Sequence, residues 1–284
     1  MDEVRSGMVR VPGGEIYYEL RGQGPPVVLV HSIFLDRRMW DPQFDRYATG
    51  FSVIRYDLRG NGRSPRGVGD PVRAADLAAL ADHLGLGPAF VVGASVGARV
   101  TAEWAARSPD RVRGLVLVGG IPADLDPTPE EEERFLEGAA DPDERILALA
   151  RSGANADAVE AMLDAWAPAA DGATRARLGK IAADNISAVA ALGAAASPER
   201  APPFPVADTL RRSPVPVLLL CGDRDEPALR MMMGRYAQQL PHGHFVELRG
   251  GDHTPNQTVP EEFDRLVLEF LSRTPERRAP AASA

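Results

Sequence analysis

The chain is short of the residues that make several functions possible. It has one cysteine, Cys221, among 284 residues, so no intramolecular disulfide can form. Cys221 lies in the apolar run Val217-Leu218-Leu219-Leu220-Cys221, where a thiol behaves as a small buried hydrophobe. Lys180 is the only lysine, and the arginines are dispersed rather than clustered. With a formal net charge of −8, this argues against nucleic acid or an anionic membrane surface as partner. No apolar run approaches the ~20 residues of a spanning helix. Met1-Asp2-Glu3-Val4-Arg5 has no basic segment leading into an apolar stretch, so no signal peptide and a cytoplasmic location are expected. Internal repeats, metal-ligand spacings and phosphate loops are also missing from the sequence. Gly60-Asn61-Gly62 follows an expected strand but lacks the third glycine and the helix of a dinucleotide fingerprint. The expectation is therefore no cofactor, no metal and a small-molecule substrate.

What is present is ordinary soluble-protein composition, 44% apolar and 25% charged, in a chain long enough for one large α/β domain with an insertion. Met8 to Val11 and Glu15 to Leu20 flank Pro12-Gly13-Gly14 and predict an opening hairpin. Pro26 to Val30, Phe51 to Asp57, Phe90 to Val92 and Val112 to Val118 read as strands, several apolar throughout, as in a parallel sheet covered on both faces. Asp70-Pro71 predicts a helix start, with the helix running to about Leu86.

From about Ile121 to Arg212 no strand is expected. Thr128-Pro129-Glu130-Glu131 and Asp141-Pro142-Asp143-Glu144 have the spacing of helix-opening capping boxes. Further helices are expected over Ala154 to Trp166, Thr174 to Ala183 and Ile186 to Ala195, followed by a linker over Ser197 to Pro205. The α/β pattern resumes with a strand over Val215 to Leu220, a helix containing Met232 and Met233, a last strand over Phe245 to Leu248, and a helix from Pro260 to Leu271. The expected architecture is a mostly parallel eight-stranded sheet with helices on both faces and a helical insertion. The core spans 1–121 and 206–273, the insertion 122–205, and 274–284 is a Pro/Ala/Arg-rich tail expected to be disordered.

The most informative stretch is Phe90-Val91-Val92-Gly93-Ala94-Ser95-Val96-Gly97-Ala98-Arg99. It reads as a buried strand, a Gly-x-Ser-x-Gly turn and a helix. The two glycines let strand and helix approach, and the turn forces Ser95 outward at the helix N-terminus. Negative charge developing beside a serine nucleophile would be stabilised there. Asp225 and His253 each follow an apolar strand, so all three side chains should emerge at one carboxyl edge of the sheet. A serine hydroxyl needs a neutral imidazole to take its proton, and a carboxylate to fix the tautomer and stabilise the imidazolium. Asp225 competes with Asp223 for the acid, with Asp124 and Asp126 behind them. Asp225 is favoured because it lies three residues past Gly222, in a loop that can turn back over the sheet edge. The backbone N–H groups of Val96 and Ile33 are the expected oxyanion donors. His31 reads as a strand-end residue that holds its loop, with a substrate contact as the alternative. His83 is expected on a surface helix, and His242 and His244 at the far end of the last strand.

These residues resemble the α/β-hydrolase superfamily across nearly the whole chain outside the insertion. The resemblance rests on His31-Ser32-Ile33, Tyr56-Asp57-Leu58-Arg59-Gly60-Asn61-Gly62-Arg63-Ser64, Gly93-Ala94-Ser95-Val96-Gly97, Gly222-Asp223-Arg224-Asp225 and His253. It implies an α/β-hydrolase fold, a cap formed by the insertion, and catalytic roles for Ser95, Asp225 and His253. One departure is Ser32, where the family usually has glycine. The stretch Asp36-Arg37-Arg38-Met39-Trp40-Asp41-Pro42-Gln43 with Arg55 to Gly60 is similar to β-ketoadipate enol-lactone hydrolases. That similarity implies a lactone or small ester, with a carboxylate for Arg37 or Arg38 to meet. His31, Ser32, Arg37 and Trp166 are the candidate substrate contacts. The expected activity is ester or lactone hydrolysis through an acyl-serine. The alternatives are the same triad used for C–C bond hydrolysis, perhydrolysis or a secondary-metabolism step, and a non-catalytic binding protein on the same fold.

Overall fold

Strands rich in Val, Leu and Ile can be buried on both faces only if helices cover both sides. The computed structural model, which describes residues 3–69, 72–137, 142–191 and 204–275, has this arrangement. The strands are β1 (Arg5–Val11), β2 (Gly14–Arg21), β3 (Pro26–Val30), β4 (Ser52–Tyr56), β5 (Ala89–Ala94), β6 (Val112–Val118), β7 (Val217–Gly222) and β8 (Gly243–Leu248). They form one sheet in the order β1-β2-β4-β3-β5-β6-β7-β8. β2 pairs antiparallel with β1 and with β4, and every other pairing is parallel. Each residue of the central strands β5 and β7 is buried.

The helices are α1 (Asp41–Tyr47), α2 (Arg73–His83), α3 (Val96–Arg107), α4 (Pro129–Glu137), α5 (Pro142–Arg151), α6 (Asn155–Trp166), α7 (Gly172–Ala191), α8 (Val206–Arg211), α9 (Pro227–Gln239), α10 (Pro255–Thr258) and α11 (Pro260–Arg273). Residues 1–2, 70–71, 138–141, 192–203 and 276–284 lie outside the described residues. With them lie the expected Asp70-Pro71 helix start, most of the 197–205 linker and most of the tail. Among the described residues no helix is long and apolar enough to cross a membrane.

The helices between β6 and β7 depart from expectation in two places, one of them α8, where no helix is expected. The expected helix at 174–183 and residues 186–191 of the one expected at 186–195 are a single helix, α7, with Asp184 and Asn185 in its interior, and 192–195 lie outside the described residues. Asn185 is a weak helix former because its side chain competes for backbone hydrogen bonds. Here that side chain is otherwise occupied. Its amide donates to Ile181 O at 2.7 Å and to Asp36 Oδ2 at 2.8 Å, and its oxygen accepts the Gly62 N–H at 2.7 Å. Helices α5, α6 and α7 pack on one another, whereas α4 packs against α9. An ion pair between Arg235 and Glu131 joins these two.

The parallel register places Ala94 beside Val118, Val118 beside Leu220, and Gly222 beside Leu248. The loops leaving β3, β5, β6, β7 and β8 therefore gather at one edge. The tightest of them joins β5 to α3. A Cβ on Gly93 would overlap the Gly97 carbonyl and stand 2.6 Å from the Thr101 hydroxyl. One on Gly97 would overlap the Val30 carbonyl oxygen and lie 2.8 Å from that of His31. Ser95, between them, is the only non-glycine residue with positive φ among the described residues, at φ 54° and ψ −115°. Such a conformation costs on the order of 1–3 kcal/mol for a residue with a Cβ.

Three outcomes are expected. Gly97→Ala should lose about 3 kcal/mol or more in equilibrium urea unfolding, because backbone rather than a flexible side chain blocks the new methyl. Gly172→Ala, where nothing lies within 4 Å, should stay within about 0.5 kcal/mol. Ser95→Gly should unfold at higher urea than Ser95→Ala, by about 1 kcal/mol, because glycine alone relieves the backbone strain.

Candidate active site

Ser95 sits at the tip of the β5–α3 turn, and its N–H donates to Val118 O at 2.8 Å. Gly119 and Gly120, at the end of β6, give this turn and His253 their room. A Cβ on Gly120 would lie 2.8 Å from Ser95 O. One on Gly119 would lie 3.2 Å from both Cε1 and Nδ1 of His253. In the sequence their only signal is a glycine pair closing an apolar strand.

Asp225 and His253 come from the loops after β7 and β8. Gly222 joins these loops, because a Cβ there would overlap the Gly251 backbone. His253 Nδ1 stands 3.0 Å from Oδ1 and 3.1 Å from Oδ2 of Asp225. With Nδ1–H donating to the carboxylate, Nε2 carries the lone pair. Asp225 Oδ1 also accepts the Glu226 N–H at 2.8 Å, which fixes the carboxylate. Burial alone would push the His253 pKa down. The negative charge and hydrogen bond of Asp225, followed by the charges of Asp143 and Asp252, outweigh it, and the pKa ends above the ordinary histidine value of 6.5. Asp223, the competing acid, instead accepts the Gly250 N–H at 2.8 Å. Asp124 accepts the Ala207 N–H and holds the start of α8.

Ser95, Asp225 and His253 line one cleft of about 830 Å³. Ile33, Val96 and Trp166 line it too, and Ile121, Leu125, Leu229 and Met232 give it apolar walls. The charged side chains on it are Arg99, Asp143, Arg224, Asp225 and Glu226. Val96 opens α3, so its N–H has no intrahelical acceptor. The Ile33 loop is pinned by Asn61, whose amide donates to Ile33 O at 2.8 Å and Leu35 O at 2.9 Å. Nothing in the sequence showed that Asn61 and Asp143 reach this site, since their partners are distant in the chain.

Three of the expected substrate contacts are engaged away from the cleft lining. His31 is fully buried off the cleft. Its Nε2 accepts the Leu58 N–H at 2.8 Å and its Nδ1 lies 2.7 Å from Ser32 O. Burial lowers its pKa, against an opposing pull from Asp57, so the ring is neutral and ties the loops after β3 and β4 together. Ser32 is not on the cleft wall, and its N–H points to Met39 Sδ at 3.4 Å. Arg37 is buried with its donors committed, Nε to Glu19 Oε1 and Nη1 to Asp57 Oδ2, each at 2.9 Å. It also lies over the Tyr17 ring. Arg38 pairs with Asp36 and Asp184. Only Trp166 of the four candidates faces the cleft.

The 2-(acetamidomethylene)succinate hydrolase of Mesorhizobium japonicum is 28% identical over 271 residues, covering 92% of this chain and 94% of that one. The structure of a thermophilic esterase from Thermogutta terrifontis is 28% identical with a TM-score of 0.77, covering 95% of this chain and 99% of that one. The enol-lactonase from Burkholderia xenovorans LB400 shares the fold, with a TM-score of 0.75 at 24% identity over 94% of this chain and all of that one. A model of the alpha/beta hydrolase family matches residues 27–266, and with the sheet order and the strained serine turn already in place, the chain belongs to that family.

Proposed function

We propose that the protein is a serine hydrolase that cleaves a carboxylic ester or lactone through an acyl-serine intermediate. One observation carries this reading. The His253 imidazole is held by both oxygens of Asp225 in the same cleft that receives Ser95 from its strained turn. Ser95 Oγ attacks the substrate carbonyl while Nε2 of His253 takes its proton. Asp225 stabilises the imidazolium and keeps the reactive nitrogen turned outward. The N–H groups of Val96 and Ile33 receive the charge on the former carbonyl oxygen. The imidazolium then protonates the departing alkoxide. A water, deprotonated by the same Nε2, releases the acid and restores Ser95. In a lactone the departing alkoxide stays tethered, so one open-chain hydroxy acid leaves. The wall formed by Ile121, Leu125, Leu229 and Met232 suits an apolar acyl portion. Helices α5 to α7, with Trp166 at the end of α6, act as the cap over this cleft.

A fluorophosphonate probe should label the wild-type protein, and Ser95→Ala should abolish labelling. On a panel of p-nitrophenyl esters and five- and six-membered lactones, Ser95→Ala should lower kcat/KM by at least ~10⁴-fold. Probe labelling without turnover of any panel member would point to one of the other triad reactions, and no labelling would overturn the reading. The pH profile follows from His253. The base must be neutral and its pKa is raised, so kcat/KM should fall as pH drops through a midpoint above 6.5. Asp225→Asn removes the charge that favours the imidazolium. It should lower the plateau and also move this midpoint to lower pH, read from the kcat/KM profile.

A further inference from the structure

We propose that Trp166 and Asp143 form a second support for His253, delivered by the cap, which orients the imidazole and stabilises it once it has taken the serine proton. This rests on the reading of Ser95 and His253 as nucleophile and base. Trp166 ends α6 and its indole lies 4.5 Å from the His253 ring, centroid to centroid, with 42° between planes. Its Nε1–H donates to Asp143 Oδ1, in the first turn of α5, at 3.0 Å. The indole is thus fixed at its polar end by a carboxylate while its ring lies tilted against the imidazole. An aromatic face attracts a cation, and an anion bonded to the indole N–H strengthens that attraction.

The chain on both sides of this contact is anchored. Three residues past Trp166, the Ala169 N–H donates to Asp252 Oδ2 at 2.9 Å. The other oxygen of Asp252 accepts from the Thr254 N–H at 2.9 Å and from the hydroxyls of Thr254 and Thr258. The segment bearing Trp166 is therefore bonded to the residue next to His253. A tryptophan serving only as a cleft wall would need neither the carboxylate nor this tie.

The charged groups around the ring are Asp225 and Glu226 with Arg224 before α9, Asp252 beside it, Arg99 on α3 and Asp143 on α5. Asp225 is fixed to Nδ1, and Glu226 caps α9 through the Ala228 N–H. Asp143 is thus a cap acid that reaches the base through an aromatic ring. Its charge favours the protonated ring, in the same direction as Asp225 and Asp252. Trp166 and Asp143 are positioning residues, because they act through His253.

The test uses full-length protein. His253 is titrated by NMR of its imidazole Cε1, assigned by loss of the signal in His253→Gln, in wild type, Asp143→Asn and Trp166→Leu. Fluorophosphonate labelling of Ser95, which releases fluoride, is timed across pH in the same variants and in Trp166→Phe. Asp143→Asn should lower the His253 pKa by about half a unit. Trp166→Leu should slow plateau labelling about three- to tenfold, with Trp166→Phe in between because it keeps a ring but loses the Nε1 donor. An unchanged His253 titration in Asp143→Asn, with unchanged labelling in Trp166→Phe and Trp166→Leu, would overturn the proposal. A lowered pKa with no labelling even in wild type would uphold the contact and sink the hydrolase reading instead.

Discussion

The architecture depends on a steric exclusion at the end of β5, where no atom beyond Cα fits at Gly93 or Gly97. Helix α3 can begin directly against β3 and β5 only because these two side chains are missing. That closeness turns Ser95 out at a φ its own Cβ disfavours. It also aims the unpaired amides at the head of α3 into the space where the neighbouring loops converge. Gly119, Gly120 and Gly222 extend the same exclusion across the sheet edge, so the segments carrying His253 and Asp225 can close in on the turn.

Around this tight apolar centre runs a buried ionic scaffold. Glu19 receives Arg37 and Arg55, Asp57 receives Arg37, and Arg59 pairs with Asp76, all with side chains almost out of water. Pairs this deep gain little net stability, because desolvating both partners offsets most of their attraction. Removing either partner would strand a charge, however, so the cluster fixes the relative placement of β2, β4 and the loop after β3. Asp57 accepts the backbone N–H groups of Arg37 and Arg63 as well as the Arg37 guanidinium. This one carboxylate thereby links the stretch after β3 to the stretch after β4.

The sheet was legible in the sequence because continuous apolar runs such as Val217 to Leu220 have few alternatives to a doubly covered strand. The serine turn was legible because its glycine spacing reflects a steric need. Asp225 and His253 could be placed at the same edge because parallel strands all end on one side. Polar side chains with distant partners could not be read. Arg37 looked available for a substrate, but Glu19 and Asp57, respectively 18 positions before and 20 after it, claim its donors. Asn185 looked like a helix boundary, and its tertiary bonds to Asp36 and Gly62 overrode that local preference. Asp143 gave no sign that it belonged with a histidine more than a hundred residues later. Trp166 could be listed as a cleft residue, but not as a neighbour of the imidazole.

Asn185 has a mechanical consequence. Its side chain rivets α7 to Asp36 and Gly62, and Asp184 beside it grips Arg38. The rivet sits on the same stretch that carries Ile33 to the cleft wall, so the position of α7 and that of the loop are set together. Moving α7 would therefore mean breaking these bonds or carrying the Ile33 loop along with it.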